Sequence, residues 1–119
     1  MAQPVILVAE DERIVAFDLC DTIEEAGYEI SGPHPDISSA MLAYQKAKPD
    51  LAILDVHLDD GNVFPLAEQL MAEDIPVIFH SGQYAPGDVN ERFPHAAALS
   101  KPCPPASVIA TVQEALAAA

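Results

Sequence analysis

The sequence predicts an α/β fold, a doubly wound five-stranded parallel sheet with helices on both faces. Three observations predict it. Short apolar runs alternate with amphipathic stretches five times along 119 residues, the pattern of a parallel sheet covered on both sides. The clearest runs are apolar throughout rather than alternating, as expected of strands buried on two faces. Carboxylates, a hydroxyl and a lysine stand just after these runs, where open parallel sheets build their sites.

The elements follow in order. Val5–Ala9 is the first strand, a continuous apolar run. Residues 11–26 form the first helix. Val15, Leu19, Ile23 and Ala26 recur there at three- and four-residue spacing and make one apolar stripe. Gly27 stops it as a C-cap would. Residues 28–31 make a weak second strand. Gly32, Pro33, His34 and Pro35 read as a loop, because proline removes donors and restrains its neighbours. Residues 37–47 read as the second helix, ended by Lys48, Pro49 and Asp50.

Residues 51–55 form the third strand, apolar until Asp55 at its end. A loop over 56–62 leads to a third helix over 63–72, and 76–79 is the fourth strand. Between 81 and 95 the chain carries Gly82, Pro86, Gly87 and Pro94, so any fourth helix there is short or irregular. Residues 96–99 give a marginal fifth strand, and Pro104 or Pro105 opens a last helix to 118. The segmentation describes one domain over residues 1–119, with no output module attached.

Composition removes several functions. The net charge is −14 with five Lys and Arg together, which leaves no basic patch for nucleic acid and repels an acidic membrane surface. No apolar run is long enough to span a bilayer, and no basic residue precedes the first apolar stretch, so a secretory signal is not expected. A cytoplasmic protein is expected. Cys20 and Cys103 lack metal or redox spacing and read as free thiols.

Four strand ends carry the chemistry. The first ends in Glu10-Asp11-Glu12, the third in Asp55, the fourth in His80-Ser81-Gly82 and the fifth in Ser100-Lys101-Pro102. In the strand order 2-1-3-4-5 these ends converge on one crevice. Glu10, Asp11 and Asp55 are hard oxygen ligands that repel one another unless a cation sits among them. A small divalent ion such as Mg²⁺ suits them. Lys101 can neutralise a phosphoryl oxygen, and Ser81 supplies a hydroxyl donor. An aspartate so flanked is equipped to form an acyl phosphate as nucleophile.

Residues 6–12 (ILVAEDE), residues 54–61 (LDVHLDDG), residues 76–79 (PVIF), Ser81, and Lys101-Pro102 stand in order at successive strand ends. On these motifs the chain resembles a response-regulator receiver domain over its whole length. That resemblance implies the CheY-like, flavodoxin-like fold, with Asp55 as phosphoacceptor. It implies an acidic Mg²⁺ pocket of Glu10 and Asp11, with Asp11 and the His57 backbone carbonyl as direct ligands. Ser81 and Lys101 would hold the phosphoryl group, and the Lys101-Pro102 bond would be cis. Residues 79–84 (FHSGQY) are also similar to the FATGUY motif of alphaproteobacterial single-domain receivers, with His80 for its Ala and Ser81 for its Thr.

One departure stands out. Ala98 occupies the position where receivers carry a switching Tyr or Phe. Tyr84, close behind Ser81, is a candidate to take over that role. His57 and Gln83 flank the predicted phosphoryl site and are expected to tune its lifetime. His34, His57, His80 and His95 show no zinc-ligand spacing and read as loop or surface histidines. Asp59 and Asp60 read as loop solubilisers, and the Ala-rich end as a frayed helix terminus.

The expected function is a two-component phosphorelay switch rather than an enzyme with an external substrate. It would take a phosphoryl group from a histidine kinase or a histidine phosphotransfer protein. It would hydrolyse it slowly, and would signal by contact with a downstream protein or act as a phosphate sink. A homodimer is left open. A phosphorylation-independent interaction module is the rival reading. A Mg²⁺-dependent aspartate phosphatase would want a carboxylate at position 57, which is His57. A flavin or dinucleotide site would want glycines where Glu10 and Asp11 stand.

Overall fold

The computed structural model describes residues 3–81, 93–94, 96–101 and 103–118. Its strands are β1 (Val5–Ala9), β2 (Glu29–His34), β3 (Leu51–Leu54), β4 (His57–Leu58), β5 (Gly61–Asn62), β6 (Val77–Ser81) and β7 (Ala97–Ser100). Its helices are α1 (Arg13–Glu25), α2 (Ile37–Lys46), α3 (Phe64–Ala72) and α4 (Pro105–Ala118). Five strands form one parallel sheet in the order β2-β1-β3-β6-β7. This is the expected doubly wound topology. The irregular helix expected within 81–95 lies, with Gly82, Gln83, Tyr84 and His95, outside the described residues.

The period-two geometry of the strands divides the core in two. Ile6 and Val8 of β1 join Leu19, Ile23, Ile53 and Val112 under α1 and α4. Leu7 and Ala9 face the other way and join Leu54, Leu66, Leu70 and Phe79 under α2 and α3. Strands β1, β3 and β6 are therefore buried on both faces, which is why their sequences are apolar throughout. The helical stripe of α1 is Ala16, Leu19, Cys20 and Ile23, while Ala26 is exposed. Cys20 and Cys103 are both free thiols.

Two connections differ from their sequence reading. Gly32, Pro33 and His34 belong to β2 and are not loop. β2 is an edge strand, where proline costs no ladder bond. Its register against β1 shifts between Leu7 and Ala9, and Gly32 adopts φ +121° with a hypothetical Cβ only 2.8 Å from the Val8 carbonyl oxygen. Only glycine fits that approach. Within the predicted loop 56–62, β4 and β5 form a short antiparallel hairpin, pairing His57 with Asn62 and Leu58 with Gly61.

That hairpin is tied to α2. Asp60 accepts from the N–H groups of Ile37 (2.7 Å) and Ser38 (3.1 Å) and from the Ser38 hydroxyl (2.9 Å). Asp36, the N-cap, accepts from the Ser39 N–H at 2.8 Å. Two aspartates thus satisfy the orphan donors of one helix start. Asp60 is a cap supplied from another element, and not a loop solubiliser.

Candidate functional site at the carboxyl ends of the strands

Backbone hydrogen bonds set the strand ends against one another. The Asp55 N–H donates to the Ala9 carbonyl at 2.9 Å, and the Glu10 N–H donates to the His34 carbonyl at 2.9 Å. The register of β6 with β7 pairs His80 with Leu99 and Ser81 with Ser100, which places Lys101 beyond the sheet edge facing β1 and β3. The order β2-β1-β3-β6-β7 brings the first, third, fourth and fifth predicted ends together.

The resulting cluster is acidic and largely buried. Glu10, Asp11, Glu12 and Asp55 each present an oxygen within 4.8 Å of the others. Glu10 and Asp55 are buried, Asp11 is half-buried and Glu12 is exposed. Lys101 reaches into this group. Its Nζ lies 2.6 Å from Glu10 Oε2, 3.2 Å from Asp55 Oδ2 and 3.4 Å from Glu12 Oε1. The other Glu10 oxygen accepts from the Glu12 N–H at 3.1 Å, and Asp55 Oδ1 accepts from the His57 N–H at a long 3.4 Å.

The energetics of the pair are set by burial. Desolvation raises the Glu10 pKa to about 7, against the pull of Lys101 and the Glu12 N–H and with the push of Asp55. Burial by itself would lower Lys101, but the hydrogen bond and charge of Glu10 and the charge of Asp55 outweigh it and hold the ammonium above its usual range. Lys101 therefore stays charged. Four carboxylates against one ammonium leave a local negative excess. Hard oxygens at this spacing match a small divalent cation.

His80 was expected on a loop or surface and is instead buried in β6, with Nδ1 4.0 Å from Glu10 Oε2. Position 80 falls on the strand face that packs toward the acidic end. Burial, then the Lys101 charge, lower its pKa. Glu12 joins the carboxylate group although the sequence reading gave it no role. The signal for it was plain adjacency to Glu10 and Asp11. Ser81 closes β6 through its backbone, while its side chain and Pro102 lie outside the described residues.

Residues 6–113 match the family model of the response regulator receiver domain. The chain belongs to that family. The receiver is 31% identical over 103 residues to the transcriptional regulatory protein PdtaR of Mycobacterium tuberculosis, covering 87% of this chain and 50% of the relative. It is 31% identical over 114 residues to the phyllosphere-induced regulator PhyR of Methylorubrum extorquens, covering 93% and 43%. The chain thus spans about half the length of these relatives or less. The non-phosphorylated HemR receiver domain of Leptospira biflexa superimposes with a TM-score of 0.83 at 27% identity, covering 96% of this chain and 94% of that one.

The receiver carries Ala98 half-buried in β7, paired with Phe79 and packed on the core that holds Phe79 and Phe93. Phe64, Phe79 and Phe93 pack together in one edge-to-face and two tilted contacts, with centroids 5.1 to 5.8 Å apart. A groove of about 640 Å³ runs between α1 and α4 beside Lys101 and His80, with Asp18 and Asp21 among its lining residues. No helix of the described residues is long and apolar enough to cross a membrane.

Proposed function

We propose that this receiver accepts a phosphoryl group from a phosphohistidine onto Asp55 in a Mg²⁺-dependent reaction. The observation that carries the reading is Lys101 Nζ, 3.2 Å from Asp55 Oδ2 inside a cluster of four carboxylates. An Asp55 carboxylate oxygen attacks phosphorus, the phosphorus–nitrogen bond of the donor breaks, and the donor imidazole leaves with that electron pair. Lys101 offers its ammonium to a phosphoryl oxygen, and the Ser81 hydroxyl donates to another. Glu10, Asp11, Asp55 and the His57 carbonyl are the proposed Mg²⁺ pocket. The ion, when bound, supplies charge neutralisation for the attacking and transferred oxygens.

A protein donor must reach this edge. Ile14 and Phe17 are 79% and 58% exposed on α1, an apolar rim suited to a histidine kinase or histidine phosphotransfer protein in the cytoplasm. The phosphorylated receiver would act by contact with a downstream protein, or drain phosphoryl groups from its kinase, and would slowly hydrolyse its own acyl phosphate. Ala98 removes the usual aromatic switch, so the surface change is assigned to another element, with Tyr84 a candidate.

The test is a phosphate-affinity gel with acetyl phosphate or a phosphorylated kinase. Retardation that requires Mg²⁺ and vanishes in Asp55→Asn is expected. A wild-type chain that no phosphodonor retards, with Mg²⁺ present, would sink the proposal in favour of a phosphorylation-independent interaction module.

A further inference from the structure

Lys101 has three ammonium protons, and three carboxylates surround it: Glu10 at 2.6 Å, Asp55 at 3.2 Å and Glu12 at 3.4 Å. A phosphoryl group mounted on Asp55 draws Nζ toward itself and away from the shortest of these contacts. Glu12 is exposed and water can replace the lysine there. Glu10 is buried, so its Oε2 would lose a protein contact that bulk water cannot replace.

One polar atom stands ready nearby. His80 Nδ1 is fully buried and, like Glu10 Oε2 itself, has no hydrogen-bond partner among the described residues. The two atoms lie 4.0 Å apart, and Lys101 meets Oε2 as an ion pair. A shift of about 1 Å would bring it to hydrogen-bond distance. Burying such a nitrogen without a partner is unfavourable, and the carboxylate is its evident acceptor. We propose that His80 is a positioning residue that takes over Glu10 Oε2 through Nδ1–H when Lys101 turns to the phosphoryl group. The inference rests on the receiver reading above and adds to it a specific exchange of partners at Glu10. The imidazole acts as a neutral donor throughout. Burial and the Lys101 charge favour that neutral form, and the facing carboxylate selects the Nδ1–H tautomer.

Beryllofluoride, a phosphoryl mimic, provides the test, followed by NMR on the full chain with Mg²⁺. In the wild type, the ¹⁵N shift of His80 Nδ1 should report a protonated nitrogen and move on adding beryllofluoride. His80→Ala should bind Mg²⁺ alone within about twofold of wild type. It should lose about tenfold in beryllofluoride affinity, the scale of lost support behind a site ligand. His80→Asn, whose amide nitrogen falls near the Nδ1 position, should recover most of that loss, and His80→Gln should not. A merely space-filling role predicts no split between Mg²⁺ and beryllofluoride and equal rescue by Asn and Gln. Either result overturns the proposal, as does a bare Nδ1 in the loaded protein. If wild type fails to bind beryllofluoride at Asp55, the receiver reading falls as well. If wild type binds and His80→Ala binds equally, only the role of His80 falls.

Discussion

Asp55 and Asp60 stand in one connection, on either side of the β4 strand, and their surroundings are opposite. Asp60 is exposed yet fully engaged, accepting two backbone N–H groups and a hydroxyl. Among the described residues, Asp55 is buried yet thinly held, by a long backbone hydrogen bond and a share of Lys101. A folded chain ordinarily satisfies its buried polar groups first. Here the satisfied carboxylate is the structural one, and the under-satisfied buried ones gather at a single sheet edge. The difference separates a carboxylate whose partners come with the fold from carboxylates left open to the proposed Mg²⁺ and phosphoryl group.

The largest effect is expected at Lys101. Replacing it by Met leaves Glu10 and Asp55 without their counter-ion, a change that costs up to about 3–5 kcal/mol for a buried pair. Protonation of Glu10 caps the loss, so about 2–3 kcal/mol at pH 8 is expected, read by urea denaturation without metal. Apparent Mg²⁺ affinity should rise at the same time, because the lysine no longer competes for the oxygens. Unchanged stability together with unchanged Mg²⁺ affinity would show that Lys101 is not the cation that balances this cluster.

Glu10 gives the next effect, through pH. Its pKa is raised to about 7 by burial, above the value of an exposed glutamate. The sign follows from linkage: between about pH 4.5 and 7 the folded state binds more protons than the unfolded one. Its contribution is therefore fully present below the unfolded pKa and is lost as pH rises through 7. In metal-free protein that loss should be about 3 kcal/mol, and Glu10→Gln should flatten the slope over this window. Mg²⁺ selects the ionised carboxylate and should reverse the trend above pH 7. A metal-free stability that rises from pH 5 to 7.5 would contradict the desolvated state of Glu10.

The fold and the proposed site differ in how far sequence reveals them. Three strands buried on both faces announce themselves, since Ile6, Leu7 and Val8 are apolar in a row. Glu10, Asp11 and Asp55 could be proposed because they stand at the ends of such runs, and Lys101 because it closes the marginal run of β7 at the sheet edge. What escaped depends on contacts distant along the chain. Asp60 looks like any loop acid until α2, more than twenty residues earlier, brings its free N–H groups alongside. Gly32-Pro33 reads as a breaker until the bulged edge pairing with β1 gives it a place. His80 is polar by composition, and only the longer extent of β6 buries it beside Glu10.

The smallest effect belongs to Asp60. Its pKa is lowered by the hydrogen bond from the Ile37 N–H, reinforced by those from Ser38 and its own backbone. Its contribution is present above the unfolded value and fades as pH falls through the lowered one. Because the α2 start is exposed, water can replace the side chain, and Asp60→Ala should lower Tm at pH 7 by only a few °C. The loss should shrink toward pH 3, where wild type also protonates. Mg²⁺ affinity and the rate of phosphorylation by acetyl phosphate should remain at wild-type values, because Asp60 lies outside the carboxylate group around Lys101. A severalfold change in either would break the contrast between the two aspartates. It would mean that the β4–β5 hairpin couples α2 to Asp55, through the His57 N–H at one end and Asp60 at the other. The helix start would then belong to the site's machinery and not to the fold alone.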